Sequence, residues 1–222
     1  MRYRGRERTG VGVKVAVIDS GIDDMDPRLS GHRVSGWSVR LGATGHALIG
    51  SDFSDLNGHG TTMAAAVSWV APGVELMSVR IMDESLRTTA DLMAAGIETA
   101  FRNGARVINL SMGTPNMGKA LLLRDTAALA AEAGAVVLAA AHPRGERAYP
   151  ADLPETIGVA SHPDCGPDRF FYFNPSRFDA QQWGSLSGEY LAHGCERIAG
   201  GVGPFRGSEL ATAYTSGVLA CI

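Results

Sequence analysis

VAVIDSGID, residues 15 to 23, runs four apolar residues into an aspartate, a serine and a glycine. A short apolar run ending in small and polar residues suits a strand covered on both faces, and it predicts a buried strand over residues 13–18. Asp19 follows directly, and Gly21 permits a turn that leaves the carboxylate at the sheet edge. Alone, such an aspartate is most often a turn or cap residue. A second segment, DLNGHGTTMAAAV at residues 55 to 67, changes its weight. There His59 lies between two glycines at the head of an Ala-rich helix, so the ring can approach neighbouring backbone closely while the helix fixes its position. Asp19 and His59 together suggest an oriented base.

Outward from these segments, strand-like and helix-like stretches alternate. Strands are expected over residues 13–18, 74–81, 107–111, 136–141 and 156–161, and helices over 61–70, 90–103, 118–133 and from about Ser208 onward, with Gly104 and Gly134 as helix stops. No repeat, low-complexity tract or long linker interrupts them, so residues 1–222 are expected to form one α/β domain with a mostly parallel sheet. Ligands of such sheets collect at the carboxyl ends of the strands, which gives Asp19, Ser111 and His142 first claim to chemistry. Residues 162–206 have weak periodicity and suggest irregular structure with short antiparallel strands.

Composition narrows the function classes. Hydrophobic residues at 45% and charged residues at 19% are those of a folded globular chain. Twenty basic and 23 acidic residues give a net charge of −3, so no global field points to nucleic acid or an anionic membrane. Four arginines, at positions 2, 4, 6 and 8, form a basic arm over residues 1–10, expected to be solvated and frayed. Cys165, Cys195 and Cys221 have no CxxC spacing, which suits a reducing, cytoplasmic setting better than a disulfide framework. The start lacks an apolar signal core, and the longest apolar stretch, residues 133–141, is far short of the ~20 that span a bilayer.

VAVIDSGID and DLNGHGTTMA resemble, in order and spacing, the aspartate and histidine motifs of the subtilisin-like serine proteases (peptidase S8). APGVELMSVRIMD at residues 71–83, GIETAFRNGARVINLSMG at 96–113 and AYPADLPETIGVAS at 148–161 are similar to further segments of that family, so the resemblance runs from about Val13 to Gly217. It implies a three-layer α/β fold with helices on both faces of the sheet, and a C-terminal end short relative to the family. It also implies the triad roles: His59 takes a proton from a serine hydroxyl, and buried Asp19 holds the ring's tautomer.

The same resemblance exposes two departures. The family's serine motif, G-T-S-M-A-T-P, corresponds to GSELATA at residues 207–213, which puts Glu209 in the nucleophile's position and Ser208 one place before it. Shifting the alignment to use Ser208 destroys the Gly, Ala and Thr matches and turns the side chain about 100° around the helix. The family's oxyanion asparagine corresponds to LAAAHPRG at residues 138–145, with His142 in its place. Losing one oxyanion donor typically costs about 100- to 1,000-fold in rate, and losing the nucleophile costs far more. The resemblance therefore implies a degenerate protease that binds an extended peptide or protein segment along Ser111, Met112 and Gly113 by main-chain pairing.

Two alternatives stay open: a peptide-modifying enzyme using His59, His142 and Glu209 in acid-base chemistry or as a facial metal triad, and residual serine hydrolysis through Ser208. A partner protein could complete the chain. Asp52 and Asp55 lack the ordered oxygen spacing of a calcium loop. His32, His46 and His162 suggest surface positions, His193 a loop, and RFFYF at residues 169–173 packing under an irregular segment.

Overall fold

A computed structural model describes the backbone of residues 2–3, 6–161, 171–173, 190–193 and 207–222, and the side chains of residues 8–161 and 207–222. In chain order the strands are β1 (Arg2–Tyr3), β2 (Arg6–Glu7), β3 (Lys14–Asp19), β4 (Val34–Leu41) and β5 (Ala47–Gly50). They continue as β6 (Glu75–Arg80), β7 (Val107–Leu110), β8 (Val136–Ala140), β9 (Ile157–Ser161), β10 (Phe171–Phe173) and β11 (Tyr190–His193). The helices are α1 (His59–Val70), α2 (Ala90–Arg102), α3 (Ala120–Glu132) and α4 (Ser208–Ala220).

Nine strands form one sheet in the order β10-β11-β9-β8-β7-β3-β6-β4-β5. The seven from β11 to β4 are parallel, and β10 and β5 add antiparallel edges. Strand β3 shows why its sequence is continuously apolar. Val15 and Val17 enter a core shared with Ala64, Val67, Leu210 and Tyr214 of α1 and α4. Ala16 and Ile18 enter a second core with Met93, Ile97, Leu123 and Ala127 of α2 and α3. Helices thus cover both faces, as a parallel sheet requires, and each fully buried Val, Leu or Ile contributes about 1.5–3 kcal/mol to the three-layer packing.

The sequence-based element boundaries are close, and the differences have local causes. Helix α1 begins at His59 because Gly58, at φ 96°, makes the turn into it. The third helix begins at Ala120 because Met117–Lys119 form a 3-10 turn capped by the Asn116 side chain. Strands β4 and β5 escape sequence inspection because VSGWSVRL mixes polar and small residues into its run and ALIG is a mostly exposed edge. The arm expected to fray instead pairs β1 with β2 antiparallel. Residues 171–173 of RFFYF form β10, and His193 ends strand β11 rather than occupying a loop. His162 and the remaining positions of 162–206 lie outside the described residues, as do Cys165 and Cys195. His46 is exposed as expected, whereas His32 is only partly so and has both ring nitrogens buried. Among the described residues, no helix is long and apolar enough to cross a membrane.

Helices α1 and α4 approach closely at Gly217, where an added Cβ would lie 2.8 Å from the Val67 carbonyl oxygen and 2.8 Å from Val70 Cβ. This contact, in the last turn of both helices, sets how closely α1 and α4 pack. Gly217→Ala should therefore lose about 1–3 kcal/mol in chemical denaturation from overpacking. Alanine's better helix propensity, worth about 1 kcal/mol, does not offset it. A more stable variant would show that the helices do not need this approach.

Candidate active site

The chain runs from β3 to one side of the sheet through β4 and β6, then crosses to the other side through β7, β8 and β9. Parallel sheets leave a crevice at such a reversal. Asp19, Ser111, His142 and Ser161 all come to the carboxyl edge there, at or just after the ends of β3, β7, β8 and β9. The N-termini of α1 and α4 meet the same edge and deliver His59 and Glu209.

Asp19 is fully buried. Its Oδ1 lies 2.7 Å from His59 Nδ1 and accepts a hydrogen bond from the Ser20 N–H at 2.7 Å. On the other side of the ring, His59 Nε2 lies 3.4 Å from Glu209 Oε2. Burial works against a charged ring, yet hydrogen bonds to Asp19 and Glu209 and their negative charges prevail, and the His59 pKa is pushed up to about 10. At neutral pH the ring is an imidazolium held between two carboxylates.

A network that sequence inspection missed positions the ring. Asp55 Oδ1 accepts from the Ser20 hydroxyl at 2.7 Å and from the N–H groups of Asn57 and Gly58 at 2.9 and 2.8 Å. Its Oδ2 accepts from the N–H of Thr61 at 2.8 Å and from the Thr61 hydroxyl. Burial raises the Asp55 pKa, but these bonds outweigh it and hold the carboxyl below its usual range. Ser20 Oγ in turn accepts from the Gly60 N–H at 3.0 Å. Only glycine fits at position 60, because a Cβ would lie 2.1 Å from the Gly21 carbonyl oxygen. The aspartate and histidine segments are therefore clamped backbone to backbone. Asp52 pairs with Arg80 at 2.9 Å.

Helix α4 is anchored by a second buried network. Asn109 Nδ2 donates to Ser111 Oγ at 2.7 Å, and Asn109 Oδ1 accepts from the Ser216 hydroxyl at 3.1 Å. The signal was present as a lone amide inside the apolar run VINL. With α4 so fixed, Ser208 is buried and its Oγ accepts from the Ser161 N–H at 3.4 Å, while Glu209 faces His59.

A cleft of about 320 Å³ runs past these groups, lined by His59, Glu209, Ser111, Met112, Gly113 and His142 among others. Leu86, which adopts a positive φ of 58°, forms part of its wall with Met82. His142 shares the cleft, but its Nδ1 accepts from the Arg144 N–H at 3.4 Å. The proposed triad of His59, His142 and Glu209 does not fit a metal ion. The two His59 nitrogens face carboxylates, and among the described residues no group of three or more His, Cys, Asp or Glu is placed to hold one.

An Asp–His pair carried by the central strand and an adjoining helix, with a second helix N-terminus beside it at the sheet's reversal, defines a subtilisin-like α/β protein. The chain belongs to the subtilase family (Peptidase S8), which matches residues 10–222. It is 31% identical over 229 residues to subtilisin E of Bacillus subtilis, covering 96% of this chain and 56% of that one. Thermitase of Thermoactinomyces vulgaris is 33% identical over 162 residues, covering 68% of this chain and 56% of its own. The chain thus spans little more than half the length of these relatives. The crystal structure of a cold-adapted subtilisin-like serine proteinase has the same fold, with a TM-score of 0.71 at 23% identity over 99% of this chain and 78% of that one.

Two outcomes follow from this geometry. The folded pKa of His59 lies above its ordinary 6.5, so the stability it contributes is complete below about 6.5 and is lost as pH rises through about 10. Glu209→Gln should therefore be less stable than the parent by about 1 kcal/mol in denaturation near neutral pH, with the gap closing above about pH 10. Separately, Asp55→Ala should lose about 1–3 kcal/mol, because it leaves buried helix-start donors without an acceptor; unchanged thermal and chemical denaturation would refute that role.

Proposed function

We propose that this domain captures extended peptide or protein segments and does not hydrolyse them by its family's mechanism. The observation that carries this is the Glu209 carboxylate 3.4 Å from His59 Nε2. A triad histidine must present an unprotonated Nε2 to take a serine's proton. Here the ring is held as a cation, and the group facing it is a carboxylate where the family resemblance expects a hydroxyl. Ser208 is turned toward β9 and does not supply the missing nucleophile. By the same resemblance His142 takes the place of the oxyanion asparagine, so the second catalytic aid is absent as well.

The binding side is better furnished. Ser111, Met112 and Gly113 line the cleft, and Gly113 is exposed. Among the described residues, the main-chain groups of Met112 and Gly113 have no hydrogen-bond partner, which suits pairing with an added strand. Gly113 has little room to spare, since a Cβ there would already lie 3.2 Å from Ala148 Cβ.

A fluorophosphonate probe read by intact mass tests the loss of hydrolysis independently of substrate choice. We expect no adduct, and no more than weak hydrolysis from Glu209→Ser alone because His142 remains. A His59-dependent adduct on Ser208 would overturn the proposal. On a peptide array, sequence-selective binding should be lost in Gly113→Trp, and equal binding by that variant would remove the capture site.

A further inference from the structure

The group that blocks catalysis also gives the cleft a charge preference. Resting on the capture proposed above, we propose that the cleft selects segments carrying a cationic group against Glu209: a Lys or Arg side chain or a free α-amino terminus. Asp19, the His59 imidazolium and Glu209 together carry one net negative charge. Asp19 is fully buried, so a ligand cannot reach it. The Glu209 side chain is 48% exposed, and only its Oε2 faces His59. Its Oε1 has no partner among the described residues, which leaves an acceptor open to the cleft.

The surroundings favour a cation there. Among the described residues, those lining the cleft include no Lys or Arg to neutralise Glu209. The neighbouring guanidinium of Arg144 is engaged by Glu146 at 3.4 Å. Met82, Leu86 and Met112 form apolar walls, which raise the strength of a charge pair above its value in open water and can cover the methylene stem of a Lys or Arg. A segment carrying an acid at the same register would meet like charge.

The test uses heptapeptides of an Ala–Leu background with a neutral C-terminal fluorophore, titrated by anisotropy. Acetylated sets carry Arg, citrulline or Glu at each position in turn, and one neutral peptide keeps a free amino terminus. At one register we expect Arg to bind about fivefold to tenfold more tightly than citrulline and Glu more weakly than either, with the Arg preference falling below about twofold in Glu209→Gln. If the free terminus supplies the cation, that neutral peptide shows the gain instead and loses it on acetylation. Equal affinity for Arg, citrulline and the free terminus at every register overturns the charge preference, as does a preference that survives in Glu209→Gln. Failure of every peptide to bind, or binding unchanged in Gly113→Trp, overturns the capture on which it rests, so the two failures are told apart.

Discussion

A buried imidazole between two carboxylates governs the chemistry of this protein. Asp19 alone would orient His59 and leave its distal nitrogen open to serve as a base. Glu209 closes that side, and against the cost of burying a cation the hydrogen bonds to Asp19 and Glu209, with their negative charges, prevail. On the proposed reading, Glu209 does more than occupy the nucleophile's position: it favours the charged form of His59, so that a hydroxyl elsewhere in the cleft would meet no free base.

The fold holds this arrangement with little freedom. Asp55 and Ser20 tie the turn after β3 to the start of α1, and Gly60 lets the two backbones meet. Asn109 ties β7 to α4, and Gly217 lets α4 approach α1. These contacts fix where two helix N-termini converge, and so where His59 and Glu209 face each other. The scaffold is that of the subtilase family.

Much of this was legible in the sequence. Five of the parallel strands and all four helices announce themselves as apolar runs and Ala-rich segments, since a strand buried on both faces must be continuously apolar. Strands β4 and β5 do not, because VSGWSVRL mixes polar and small residues into its run and ALIG is a short, mostly exposed edge. Asp19, His59 and Glu209 were found through motif order, and the structure brings them together. His142 was found by the same means, but its ring turns to its own loop, a local choice that no spacing reveals. Asp55, like Asp52, lacks the ordered oxygen spacing of a calcium loop, and spacing gives it no other role. Its helix-start bonds to Asn57, Gly58 and Thr61 are local, whereas its tie to Ser20, 35 residues away in the chain, exists only in the fold.

The most direct measurement is long-range proton–nitrogen NMR of the histidine rings near pH 7.5, with His59→Gln to assign the signal. We expect both nitrogens of His59 to carry protons, and Glu209→Gln to bring the ring's titration to lower pH. A neutral ring with an unprotonated Nε2 in the parent protein would contradict the imidazolium clamp and restore His59 as a base.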